Sequence, residues 1–124
     1  MAVSDGVHRL DVYHQAMDLV EETYRLTRKL PASERFALVS QMQRAATSVP
    51  MNIAEGYGRR HRGDYIRSLS IARGSVFELE TQFEIVVRLE YLGRDETTAA
   101  KELIDRVKRM LTRLINRLAE SSAS

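Results

Sequence analysis

Ser40-Gln41-Met42-Gln43-Arg44-Ala45-Ala46-Thr47-Ser48-Val49-Pro50-Met51-Asn52-Ile53-Ala54-Glu55-Gly56-Tyr57-Gly58 is the stretch on which the fold turns. Its apolar members, continued back to Leu38, fall at Leu38, Met42, Ala45, Val49 and Ile53, the alternating three-four spacing of a helix that buries one side against other helices. Pro50 lies inside that ridge and removes the amide that would bond the Ala46 carbonyl, a loss of about 3 kcal/mol that kinks a helix. Because the spacing continues across it, the reading is one helix kinked at Pro50, ended by Gly56 and Gly58. A second, polar ridge of Gln41, Arg44, Ser48, Asn52 and Glu55 lies about 100° round the same rod. Glu55 stands at a helix C-terminus, where the macrodipole favours cations, so a cation such as Arg44 or Arg73 is expected beside it. The ridge has two readings: a buried or interfacial network, or a polar edge in solvent.

Outward from this helix the pattern repeats. On the N-terminal side, Val12, Ala16, Leu19, Val20, Thr23, Leu26, Thr27 and Leu30 recur at helical spacing, with Asp11 as the expected N-cap, Pro31 as the stop and Ser33 as the cap of the second helix. On the C-terminal side a basic loop, Arg59-Arg60-His61-Arg62-Gly63, precedes a third helix expected to be capped by Asp64. Its ridge is Leu69, Ala72, Val76, Leu79, Phe83 and Val86, up to Leu92-Gly93. Asp95 is the expected cap of a fourth helix with Ala100, Ile104, Val107, Leu111, Leu114 and Leu118 on its core side. The fold class is therefore all-α, an antiparallel up-down-up-down four-helix bundle over residues 11–119, with a flexible lead-in at 1–10 and a disordered tail at 120–124.

Within the third helix, Gly74-Ser75 interrupts a run of good helix formers. A mid-helix glycine costs about 1 kcal/mol against alanine, and Ala45 and Ala46 of the second helix are suitable partners for a close backbone approach. Phe36, Ile66, Ile71, Phe77, Ile85, Leu89 and Ile115 lie off the core ridges. Surplus apolar side chains of this kind predict a subunit interface.

Composition narrows the chemistry. At 124 residues the chain is one domain; it has no cysteine, hence no disulfide framework or thiolate centre. Neither a leader-like layout nor an apolar run of roughly 18 residues is present, which predicts a cytoplasmic protein that does not cross a membrane. No Glu-x-x-His pair, nucleophile elbow or phosphate-cradling glycine loop occurs, so no catalytic, metal or cofactor residue is assigned. The acids Glu78, Glu80, Glu84 and Glu90 read as a solvated helix face.

Charge is more informative. The formal net charge is only +2, but the cations are nearly all arginine, lysine occurring only at Lys29, Lys101 and Lys108. Arginine's planar fork suits phosphates and buried ion pairs. Antiparallel order gathers Arg9, Arg59, Arg60, Arg62, Arg67, Arg113 and Arg117 at one pole, and Arg106, Arg109, Arg113 and Arg117 share one side of the fourth helix. With Tyr57 and Tyr65 beside it, the loop at Arg59 has the makings of a phosphate-and-stacking site for unpaired nucleic acid; solvated surface and intersubunit salt bridges are its other readings.

The run Leu38, Gln41, Arg44-Ala45-Ala46, Ser48-Val49-Pro50, Asn52-Ile53-Ala54-Glu55-Gly56 resembles the signature of four-helix-bundle proteins encoded in intervening sequences of bacterial large-subunit (23S) ribosomal RNA genes. Pro31 with Glu34, Ala72-Arg73-Gly74-Ser75 with Glu78-Leu79, and Tyr91-Leu92-Gly93 extend the likeness over nearly the whole chain. The resemblance implies a homo-oligomeric bundle, a homopentameric ring, without catalytic residues. A related branch, the accessory proteins of diversity-generating retroelements, forms a basic ring that associates with a reverse transcriptase and nucleic acid. The functional expectation is a non-enzymatic ring whose Arg59, Arg60, Arg62, Arg67, Arg113 and Arg117 meet RNA or work beside a nucleic-acid enzyme. Gln41, Arg44, Ser48, Asn52, Glu55, Arg73, Gly74 and Ser75 would form a structural or interface network. The alternative is a protein-binding scaffold that uses its arginines in subunit contacts.

Overall fold

The computed structural model describes residues 6, 7 and 10–123. Four helices carry the fold: α1 Asp11–Thr27, α2 Leu38–Tyr57, α3 Arg62–Arg88 and α4 Thr98–Ala123, with short 3-10 turns at Ala32–Glu34 and Asp95–Thr97. Each helix packs chiefly on two others, in the cyclic order α1, α2, α3, α4 and back to α1. Partner positions rise on one helix as they fall on the next: Thr27 meets Gln43 and Tyr24 lies beside Thr47, and Ser48 meets Ser75 while Gly56 lies against Ser68. Likewise Arg73 meets Thr112 and Glu80 meets Lys108, and Gln15 meets Arg106 while Lys29, just past α1, meets Glu96 just before α4.

The ridges read from the sequence are the core. Leu19, Leu26, Met42, Val49, Ile53, Leu69, Leu79, Phe83, Ile104 and Leu111 are fully enclosed, and Leu38, Leu114 and Leu118 close its ends while partly buried. The apolar stripes meet one another because helical periodicity keeps each on a single side of its rod. Burial of this kind, about 1.5–3 kcal/mol for each large apolar side chain, drives the assembly of the bundle. Val7 also belongs to this core, so part of the lead-in is packed.

None of the four expected caps forms. Leu10 precedes α1 and Asp11 is its first residue; Ser33 and Asp95 fall in the 3-10 turns; Asp64 is the third residue of α3. Other side chains take over part of that work. Glu34 accepts from the Leu38 amide (3.4 Å) at the start of α2 and from the Tyr91 hydroxyl (2.7 Å). It thereby ties the α1–α2 connection to the α3–α4 connection. Glu96 accepts from the Gly93 amide (2.9 Å) and from Lys29 (3.4 Å). At the end of α3, Glu90 adopts φ 61°, the left-handed conformation that reverses a helix terminus, with the Tyr91 amide returning to the Val86 carbonyl.

Helix α2 is continuous from Leu38 to Tyr57 with Pro50 buried inside it. Polar side chains grip the backbone around the proline: Thr47 donates to the Gln43 carbonyl (3.0 Å) and Asn52 to the Ser48 carbonyl (2.8 Å). The close approach expected at Gly74 occurs instead at Gly56, where an added Cβ would stand 2.7 Å from Ser68 Cβ and 2.9 Å from the Tyr65 ring. Gly74 faces open space, with nothing within 4 Å of a Cβ. Helix α4 runs to Ala123, through most of the stretch expected to be a disordered tail.

Candidate functional site

The cyclic order of the helices divides the arginine pole. The α2–α3 groove and the α1–α4 cleft lie on opposite sides of the bundle, so arginines expected at one pole stand on two flanks.

On the α2–α3 side, the polar ridge of α2 faces small and polar residues of α3. Ser75 donates to Ser48 Oγ (2.9 Å), and Asn52 Nδ2 also reaches Ser48 Oγ (3.0 Å). Gln41, Arg44 and Ala45 line the same groove opposite Glu78. Glu55 is held by Arg59, one turn on, at 2.6 Å, and not by Arg44 or Arg73. Arg73 instead points across to α4, where it donates to Thr112 (3.3 Å), because its place on α3 faces that neighbour. Arg67 lines the groove with Glu55, Arg59 and Asp64, away from Arg113 and Arg117. The ridge is thus half-buried at Ser48 and Asn52 and exposed at Gln41, Arg44 and Glu55.

The outer side of α3 is apolar where a monomer would be polar. Ile71, Ile85 and Leu89 are exposed on its α2 flank with Glu78 between them, Phe77 is exposed on its α4 flank, Gly74 lies between the two flanks, and Phe36 is 88% exposed in the turn before α2. Lys108 covers the Phe77 ring at 4.9 Å, and Arg35 covers Phe36 at 5.4 Å.

The loop Arg59–His61 is exposed, but its neighbourhood is partly spent. Tyr57 and Tyr65 pack edge-to-face on each other with centroids 6.2 Å apart, and Gly6 lies so close to the Tyr57 ring that a Cβ would stand 2.6 Å from it. Burial pushes the Tyr65 hydroxyl above the ordinary tyrosine range, with Tyr57 adding to the effect. With Arg59 neutralised by Glu55 and the Tyr57 ring engaged edge-on by Tyr65, the loop offers less to phosphate and base than its sequence suggests.

Helix α4 offers more. Arg106, Arg109, Arg113 and Arg117 stand exposed on its outer side, spread over about 16 Å of helix at 1.5 Å per residue. Arg106 donates to Gln15 on α1 (2.8 Å). Among the described residues, Arg109, Arg113 and Arg117 have no hydrogen bond or ion pair. The acids on the α3–α4 side do not serve them: Glu80 is paired with Lys108 (3.0 Å), and Glu84 with Arg88 (2.9 Å) and Lys101 (4.0 Å). Arg88 accordingly holds the Glu84 carboxyl below the usual range. His8 and Arg9 lie outside the described residues.

Among the described residues no group of three or more His, Cys, Asp or Glu side chains could hold a metal ion, and no helix is long and apolar enough to cross a membrane. The fold and its charged flanks define a helical bundle whose polar chemistry lies on its surface. Residues 8–113 match the family described as 23S rRNA-intervening sequence protein, and the chain belongs to that family. A crystal structure of a protein of unknown function from the S23 ribosomal protein family of Bacteroides thetaiotaomicron is similar in fold. Its TM-score is 0.78 at 24% sequence identity, over 85% of this chain and 95% of that one. No curated protein sequence matches the chain.

Proposed function

We propose that the protein assembles with copies of itself through the outer side of α3 and holds RNA on the arginine stripe of α4, without catalysing a reaction. The observation that carries the RNA reading is the set of exposed guanidiniums at Arg109, Arg113 and Arg117, which have no hydrogen bond or ion pair among the described residues. Unpaired arginines in a row repel one another and gain most from a polyanion, whose condensed counterions they release. Arg60 in the exposed loop and Arg62 at the start of α3 lie on the α2–α3 side, as do Arg59, paired with Glu55, and Arg67, which lines the groove with Glu55 and Asp64.

Self-assembly is supported by the exposed apolar side chains Ile71, Ile85 and Leu89 on one flank of α3, Phe77 on the other, and Gly74 between them, whose missing side chain lets another backbone come close. A closed ring, five-fold by family resemblance, would bury those side chains in a head-to-tail interface and repeat the arginine stripe around its circumference. The scaffold reading, in which the arginines make subunit contacts, would pair them with acids of a neighbouring copy other than Glu80 and Glu84, which are paired within the chain. Mobility-shift titration with single-stranded and hairpin RNA tests the assignment. Joint substitution of Arg109, Arg113 and Arg117 by Gln should abolish the shift, and joint substitution of Arg59 and Arg67 by Gln should leave most of it. The reverse ranking would return the contact to the loop side.

A further inference from the structure

The cleft between the start of α1 and the end of α4 has a volume of about 340 Å³, within the size range of small-molecule sites. Three chemistries converge there. Arg113 and Arg117, one helical turn apart, supply two guanidiniums that have no hydrogen bond or ion pair among the described residues. Leu10, Val12, Met110 and Leu114 supply an apolar wall that the core holds from behind. Asp11 supplies a carboxylate that makes no ion pair with either arginine, although all three line one cleft.

We propose that this cleft binds one unpaired ribonucleotide of an RNA strand, an inference that rests on the RNA-association reading above. The phosphate lies on Arg113 and Arg117, whose forks match its oxygens. The base lies against the apolar wall, which a base can reach only when it is unstacked. Asp11 accepts from the ribose hydroxyls. A carboxylate offers only acceptors, so it repels a bare anion and rewards a sugar that carries a 2′-hydroxyl donor. Phosphate, base and sugar are thus each met by a different part of the cleft, and the sugar contact distinguishes RNA from DNA.

The test is fluorescence anisotropy on the full chain at one fixed low salt concentration. The probes are a labelled single-stranded RNA, DNA of the same sequence and the RNA as a duplex, with uridine monophosphate as competitor. RNA is expected to bind at least about tenfold more tightly than DNA, the worth of a charge-assisted hydrogen bond. Asp11→Ala should remove that preference by weakening RNA alone, and Arg113→Gln with Arg117→Gln should weaken both strands. Equal affinity for RNA and DNA, or a preference untouched by Asp11→Ala, would overturn the ribonucleotide site while leaving RNA association intact. Duplex RNA binding as tightly as the single strand would also overturn it. Uridine monophosphate competing at the affinity of the oligomer would assign the cleft to a free nucleotide instead. Failure of every nucleic acid to bind would remove the RNA reading itself.

Discussion

Two glycines inside helices should respond to alanine with opposite signs. Gly74 is exposed on α3 and a Cβ there meets nothing within 4 Å, so Gly74→Ala gains the full difference in helix propensity, about 1 kcal/mol. For a chain of this size that raises the thermal midpoint by about 4 °C. Gly56 is buried where α2 crosses the start of α3, and its Cβ would meet Ser68 Cβ at 2.7 Å and the Tyr65 carbonyl oxygen at 3.3 Å. Backbone and a Cβ cannot swing aside as a flexible side-chain tip can. Overpacking costs of about 1–3 kcal/mol outweigh the same propensity gain, and the net effect of Gly56→Ala is a loss. Denaturant melts at a protein concentration low enough to keep the chain monomeric measure both. Gly74→Ala should then weaken self-association, because the face that tolerates a methyl in the free subunit meets another backbone in the assembly. A Gly74→Ala chain that is less stable as a monomer would refute the placement of α3. One that is more stable yet assembles unchanged, even as Gly74→Leu, would refute the interface.

Glu90 pays for a left-handed backbone at the end of α3, so Glu90→Gly should raise stability by about 1 kcal/mol, read from the shift of a urea midpoint at unchanged slope. Tyr91 donates to Glu34, and that hydrogen bond, aided by burial and the carboxylate charge, holds its hydroxyl above the ordinary value of 10.0. Its contribution is complete below pH 10 and is lost as pH rises through the raised value; Tyr91→Phe should flatten the alkaline limb of a stability profile. On the acid side, the Gly93 amide and Lys29 hold Glu96 below 4.5, and Arg88 does the same for Glu84. Stability from these carboxylates is present above pH 4.5 and falls away as pH drops through their lowered values, and Glu96→Gln should shrink that acid loss. Phe83, fully enclosed at the centre of α3, should cost about 3–5 kcal/mol as Phe83→Ala in the same urea melts.

What the sequence showed follows from what periodicity encodes. Leu69, Ala72, Val76, Leu79, Phe83 and Val86 are all buried because a fixed step of about 100° leaves one side of a helix no alternative. The same step places Gly74 about 170° from that ridge, so its exposure was legible, and reading it as a contact with Ala45 and Ala46 overlooked the wheel. Gly56 looked like a helix terminator, since closeness to Tyr65 and Ser68 depends on how two helices cross, which no single helix records. Glu55 chose Arg59 because a neighbour one turn along the rod is within reach without any tertiary cost. Antiparallel order speaks to the pole an arginine occupies and not to its flank. Which flank each arginine joins depends on the cyclic order of four helices, and that Asp11, expected as a cap, shares a cleft with Arg113 and Arg117 depends on the same order.

The account rests on α4 as a phosphate-binding surface, and the salt dependence of RNA affinity tests it most directly. Phosphate contacts at Arg109, Arg113 and Arg117 correspond to a slope of about −2 in log affinity against log salt for a single strand, at roughly −0.7 per contact. Between 50 and 200 mM salt that is a loss of about 18-fold per chain engaged. The prediction is this slope, or a larger one where several subunits share a strand, in the unmodified protein, collapsing towards zero when the three arginines become Gln. A slope that survives the triple substitution would contradict the account.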